Sequence, residues 1–122
     1  MRKTFDAELL ELNESLTVMA RVAQDAIDVV TESLSTDDEQ TAKGERVAIL
    51  GLDEHHYGGR TFLSLGSEKR PQEAAARLFA ALRELDERGD TVALCEAVDT
   101  AGIGLAVMNR MGRAAAFDIE QV

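Results

Sequence analysis

All nine glycines and the single proline of this 122-residue chain lie at or beyond Gly44; residues 1–43 contain neither. Glycine and proline are the strongest local breakers of regular structure, so a stretch of this length without them can run as one element. Phe5, Leu9, Leu12, Leu16, Met19, Ala23, Ala26 and Val30 recur at alternating spacings of four and three. That heptad seam predicts a long helix over residues 5–34, with Thr4 as N-cap and Asp6 and Glu8 in the first turn. Leu10, Val22, Ile27 and Val29 widen its apolar stripe. Ser33 to Asp38 is expected to interrupt it, with a short second helical stretch from Asp37-Asp38-Glu39 ending at Gly44.

Beyond Gly44 the pattern changes to short apolar runs separated by glycine. Arg46 to Leu50 and Thr61 to Leu65 read as strands, Pro71 to Arg88 as an amphipathic helix and Thr91 to Val98 as a strand. Gly104 to Ala115 reads as a further helix and Phe117 to Val122 as a last strand. Pro71 suits a first helical position and Gly89 a helix end. Strand and helix alternate, so the expected fold class is α/β: a long N-terminal helix plus a small, mostly parallel, Rossmann-like open sheet with flanking helices. The segment 51–60 is short for a parallel crossover. The composition shift places a boundary between a helical segment, 1–43, and an α/β domain, 44–122.

Charge and composition narrow the function. The formal net charge is −10, from 13 Lys and Arg against 23 Asp and Glu. A non-specific nucleic-acid or anionic-membrane binder needs a basic field, so neither direct nucleic acid nor membrane is an expected partner. No apolar run reaches membrane-span length and no signal peptide opens the chain; with the lone Cys95, this predicts a cytoplasmic protein without an internal disulfide. Cys95 lies among Val92, Leu94 and Val98 and reads as a buried small hydrophobe.

Two glycine loops are the candidate ligand site. Gly66-Ser67-Glu68-Lys69-Arg70 joins a strand end to a helix start, and Gly102-Ile103-Gly104 occupies the equivalent place after the next strand. Free amides, the helix dipole and cations there would form a phosphate crevice from Gly66, Ser67, Lys69, Arg70, Gly102 and Gly104, with Asn109 and Arg110 one turn or more into the following helix. The same glycines equally serve tight turns and close packing. Asp53-Glu54-His55-His56-Tyr57 gathers metal-capable side chains without a known ligand spacing and reads as a solvated loop, so neither a metal nor a cofactor is expected. No catalytic set is arranged convincingly.

Residues 44–122 resemble the C-terminal accessory domain of two-domain threonylcarbamoyl-AMP synthases. The resemblance rests on Phe62-Leu63-Ser64-Leu65-Gly66-Ser67, on Ala76 through Asp86, and most strongly on Gly102-Ile103-Gly104-Leu105-Ala106-Val107-Met108-Asn109-Arg110 with Ala114-Ala115. It implies a Rossmann-like, non-enzymatic module linked to tRNA threonylcarbamoyladenosine formation, the synthase chemistry residing in a separate YrdC-type domain. Residues 1–42 resemble the first helix of PhoU-type phosphate-signalling regulators through Met1 to Phe5, Leu9, Leu12, Leu16, Met19-Ala20, Ala26 and the turn at Leu34 to Glu39. Together the two resemblances imply a fused, chimeric chain. The readings left open are an accessory module that binds nucleotide or phosphate, a structural or engineered oligomerising protein without a ligand, and a phosphate-signalling adaptor. The apolar helix 5–34 makes a homo-oligomer the expected assembly.

Overall fold

The computed structural model describes residues 16–60, 62–67, 69–98 and 117–122. Among these residues five strands form one sheet: β1 (Thr17–Ala23), β2 (Val47–Gly51), β3 (Phe62–Ser64), β4 (Val92–Val98) and β5 (Phe117–Gln121). Their spatial order is β3-β2-β4-β1-β5, and every neighbouring pair is parallel. Helix α1 (Ala26–Ala42) connects β1 to β2, and α2 (Pro71–Arg88) connects β3 to β4.

Side chains alternate across a strand, and that alternation assigns the layers. Val18, Ala20 and Val22 of β1, Ala48 and Leu50 of β2 and Ala93 and Cys95 of β4 pack with Leu78, Leu82 and Leu85 of α2. Ile49 and Leu94, from the opposite face, pack with Met19 and with Val30 and Leu34 of α1. The helices therefore cover opposite faces. Each fully buried leucine of α2 contributes roughly 2 kcal/mol from removed apolar surface. The helix begins at Pro71 and ends at Gly89, which takes φ +81° and lets the Asp90 N–H reach the Leu85 carbonyl at 3.1 Å.

The long helix 5–34 is corrected. Residues 17–23 form β1, an inner strand paired with β4 on one side and β5 on the other. An inner parallel strand is buried on both faces, so it reads as a near-continuous apolar run. Seven such residues satisfy a heptad template as readily as a strand template. The helix starts afresh after Asp25, whose carboxylate accepts the Ile27 N–H at 2.7 Å as an N-cap. The expected break at Ser33 to Asp38 is absent: α1 continues to Ala42, with Ser33, Thr36 and Asp37 buried beside Val29. Gly44, at φ +88°, follows its end. Described residues on both sides of Lys43-Gly44 share one sheet, since β1 lies between β4 and β5. Met19-Ala20, which carry part of the PhoU resemblance, sit in that inner strand. The expected helix at 104–115, the Thr4 cap and the seam over 5–15 lie outside the described residues.

The homo-oligomer expectation through helix 5–34 loses its continuous apolar stripe. Val18, Ala20, Val22 and Val29 are buried within a single copy of the chain.

β2 and β3 pair parallel, with Ile49 opposite Phe62, although no helix joins them. The connection folds back over the α1 face instead. Gly58 and Gly59 take φ +60° and +80° there, a region that favours glycine. The Tyr57 and Phe62 rings pack with centroids 4.7 Å apart. Arg60 then pairs with Asp37 at 2.7 Å and with Asp38, both on α1.

Candidate functional site

In open parallel α/β sheets, ligands bind where neighbouring strands send their connections in opposite directions. Here that place lies between β1, which leads toward β2, and β4, which leads toward β5. Arg21 and Glu96 are register partners across it and occupy the α1 face with Met19 and Leu94. Both charged residues are buried, at 5% and 1% exposure.

Glu96 is the centre of the cluster. Its Oε1 accepts the His55 Nδ1–H at 2.5 Å and the Tyr57 hydroxyl. Its Oε2 is buried without a hydrogen-bond partner among the described residues. Tyr57 Oη in turn accepts the Leu52 N–H at 2.9 Å. Burial pushes the Tyr57 hydroxyl pKa well up, and the Glu96 hydrogen bond and charge push it further, so Tyr57 remains a donor. Gly51 makes this geometry possible: a Cβ there would fall 2.1 Å from Tyr57 Oη. The β2–β3 connection is thereby tied to the middle of the sheet.

Arg21 binds outward. Its Nη1 donates to the Ala20 carbonyl at 2.9 Å, and its Nη2 lies 3.6 Å from Asp118 on β5. Its Nε stands 3.7 Å from Glu120 and has no hydrogen-bond partner among the described residues. Buried charges need partners, and these two are only half satisfied. The arrangement is a polar clasp: it positions loops at the carboxyl edge of the sheet. Cys95 points to the opposite face; burial lifts its thiol pKa to about 12, which suppresses nucleophilic thiolate.

The Gly66 to Arg70 loop sits where expected, between β3 and α2, and Gly66 takes φ +102°. Its polar groups are engaged locally. The Asp53 N–H donates to the Gly66 carbonyl at 2.9 Å, and the Gly66 N–H donates to Ser64 Oγ at 2.9 Å. The Ser64 and Ser67 hydroxyls donate to the Asp53 and Glu54 carboxylates. The Lys69 N–H donates to Ser67 Oγ at 3.1 Å, and Arg70 pairs with Glu73 at 3.4 Å. Two carboxylates thus border the loop proposed for an anion. Gly102, Gly104, Asn109 and Arg110 lie outside the described residues.

The solvated reading of Asp53 to Tyr57 is corrected in part. His55 and Tyr57 are buried, at 7% and 3% exposure, whereas Asp53, Glu54 and His56 are exposed. Sequence reasoning missed Glu96 as a site residue. The available signal was a carboxylate inside the apolar run Val92 to Val98, which has to find donors elsewhere in the chain. Among the described residues no group of three His, Cys, Asp or Glu could hold a metal ion, and no helix is long and apolar enough to cross a membrane.

Comparison with known proteins gives this fold a family. Residues 11–116 match the model of the threonylcarbamoyl-AMP synthase C-terminal domain. A Pyrococcus abyssi threonylcarbamoyl-AMP synthase is 38% identical over 85 residues, which is 66% of this chain and 22% of the relative. The Bacillus subtilis enzyme of the same name is 35% identical over 74 residues, 59% of this chain and 21% of the relative. This chain therefore spans only a small part of the length of these curated relatives. The crystal structure of the C-terminal Sua5 domain of a Pyrococcus horikoshii hypothetical Sua5 protein superposes with a TM-score of 0.70 at 30% identity, covering 88% of this chain and 97% of that one. The match to the family model begins before β1 and runs through α1, β2, β3, α2 and β4 together. This chain belongs to the family of threonylcarbamoyl-AMP synthase C-terminal domains.

Proposed function

We propose that this chain is a non-catalytic accessory module of threonylcarbamoyl-AMP synthesis, acting in tRNA threonylcarbamoyladenosine formation beside a catalytic domain. One observation carries the reading: the family match takes in 11–116 of the chain, yet the chain corresponds to only about a fifth of each synthase. The clasp of Glu96, His55 and Tyr57 supports it, because it ties a loop to the sheet and exposes no activated nucleophile.

The test is reconstitution. A synthase stripped of its C-terminal domain is assayed for threonylcarbamoyl-AMP with this chain fused in place of the missing domain. The expected result is activity above that of the truncated enzyme, with none from the chain alone. A fused protein no more active than the truncated enzyme would count against the accessory role. Nucleotide or phosphate binding is the finer part of the reading, and the loop chemistry argues against it. Asp53 and Glu54 border the Gly66 to Arg70 loop, and Arg70 is already paired with Glu73. Thermal melting with ATP, AMP or phosphate at millimolar concentration is expected to show no rise; a saturable rise would restore the phosphate crevice.

A further inference from the structure

We propose that α2 and the free edge at β3 form a two-fold interface between two copies of this chain. This inference is independent of the accessory role. Among the described residues β3 ends the sheet and pairs with β2 alone. Between it and α2 lies an open groove of about 230 Å³, lined by Leu63, Ser64, Arg77, Ala80, Ala81 and Glu84. Arg77, Ala80 and Glu84 are exposed, and Ala81 is half-buried.

The occupant follows from the charge pattern along the helix. Glu73, Arg77, Ala80, Ala81, Glu84 and Arg88 fall on one face at spacings of three and four. Two such helices packed antiparallel, with the two-fold axis between Ala80 and Ala81, place Arg77 opposite Glu84 of the second copy. The same operation places Glu73 opposite Arg88 of the second copy. Each charge on the stripe then meets its opposite, Glu73 and Arg88 as second partners beside their own Arg70 and Asp90, and small alanines at the centre allow close approach. A two-fold interface requires such self-complementarity, and a surface with one sign of charge could not supply it. Arg77 has no ion-pair partner among the described residues. Net charge is also low here. Residues 71–88 carry three Arg against four acidic residues, whereas 16–43 carry two basic residues against six acidic ones.

The experiment is sedimentation or light scattering of the full chain across a dilution series, with thermal melting as a check on folding. The expected result is a concentration-dependent dimer. Arg77→Glu and Glu84→Arg, each on the exposed side of α2, are expected to weaken it at least about tenfold while leaving melting of the monomer unchanged. The double variant Arg77→Glu/Glu84→Arg restores the opposed pairs and is expected to recover the dimer. Ala80→Cys supplies a second readout, since the native Cys95 is buried and silent: under oxidation it is expected to form a disulfide between copies. A monomer at every concentration, a dimer indifferent to Arg77→Glu, or a double variant no better than the single ones would overturn the proposal. A dimer in which Ala80→Cys fails to cross-link would place the interface elsewhere and overturn it equally.

Discussion

Gly51→Ala is the sharpest probe of the clasp. Gly51 does not have a positive φ, so the glycine is needed for space and not for backbone conformation. An added Cβ would stand 2.1 Å from Tyr57 Oη, 2.4 Å from Cζ and 2.8 Å from Cε2. Ordinary carbon contacts are about 3.5–4 Å, so the ring must move by roughly 1–1.5 Å. It cannot move freely: Phe62 packs on it, and its hydroxyl holds both the Leu52 N–H and the Glu96 carboxylate. Overpacking costs about 1–3 kcal/mol and the loosened hydrogen bonds to a buried carboxylate about 1.5–3 kcal/mol. The expected loss is about 3–5 kcal/mol, a large share of the roughly 5–15 kcal/mol that holds a domain together. Tyr57→Phe alone removes the atom that the new Cβ meets first, at a cost of about 2 kcal/mol. The double variant Gly51→Ala/Tyr57→Phe is therefore expected to cost about 1 kcal/mol less than the sum of the two singles, since part of the clash is gone. Urea unfolding of the four proteins measures this. Additive costs, or a Gly51→Ala variant within about 1 kcal/mol of the parent, would refute the reasoning.

Four further outcomes are expected. Asp25→Ala removes the α1 cap and lowers stability by about 1 kcal/mol in urea unfolding, whereas Asp25→Ser retains most of it. Cys95 reacts slowly with thiol reagents in the native protein and quickly in denaturant, because its thiol pKa is lifted by burial to about 12. The same shift favours the protonated thiol in the folded state, so its contribution is complete below the unfolded pKa of about 9 and is lost as pH rises toward 12; Cys95→Ala should flatten that part of an alkaline unfolding profile. Glu96→Gln leaves His55 and Tyr57 donating to an uncharged amide oxygen and is expected to cost about 1.5–3 kcal/mol, read from thermal melting.

The parts of the fold legible in the sequence are those with local punctuation. Helix α2 is bracketed by Pro71 and Gly89 and patterned by Leu78, Leu82 and Leu85, and its observed span matches its expected one. β2, β3, β4 and β5 are short runs between glycines or polar residues, and each lies within two residues of expectation. β1 was illegible because both of its faces are buried, which erases the alternation that marks a strand. Its neighbours in the sheet are Val92 to Val98 and Phe117 to Gln121, distant in the chain, so no local signal named them. The clasp was hidden for the same reason. His55 and Tyr57 look like loop residues until the fold brings Glu96 beneath them, 41 and 39 positions further along. Asp25, by contrast, carried an N-cap signal that the apolar seam obscured.

The accessory role is tested most directly by assaying the purified chain alone for ATP-dependent pyrophosphate release with threonine and bicarbonate, the substrates implied by the synthase resemblance. The account predicts release indistinguishable from the no-enzyme control, under conditions where a full-length synthase turns over. Release above that control, lost when Glu96 is changed to Gln but kept in the exposed Ile27→Ser variant, would contradict it and assign chemistry to the clasp itself.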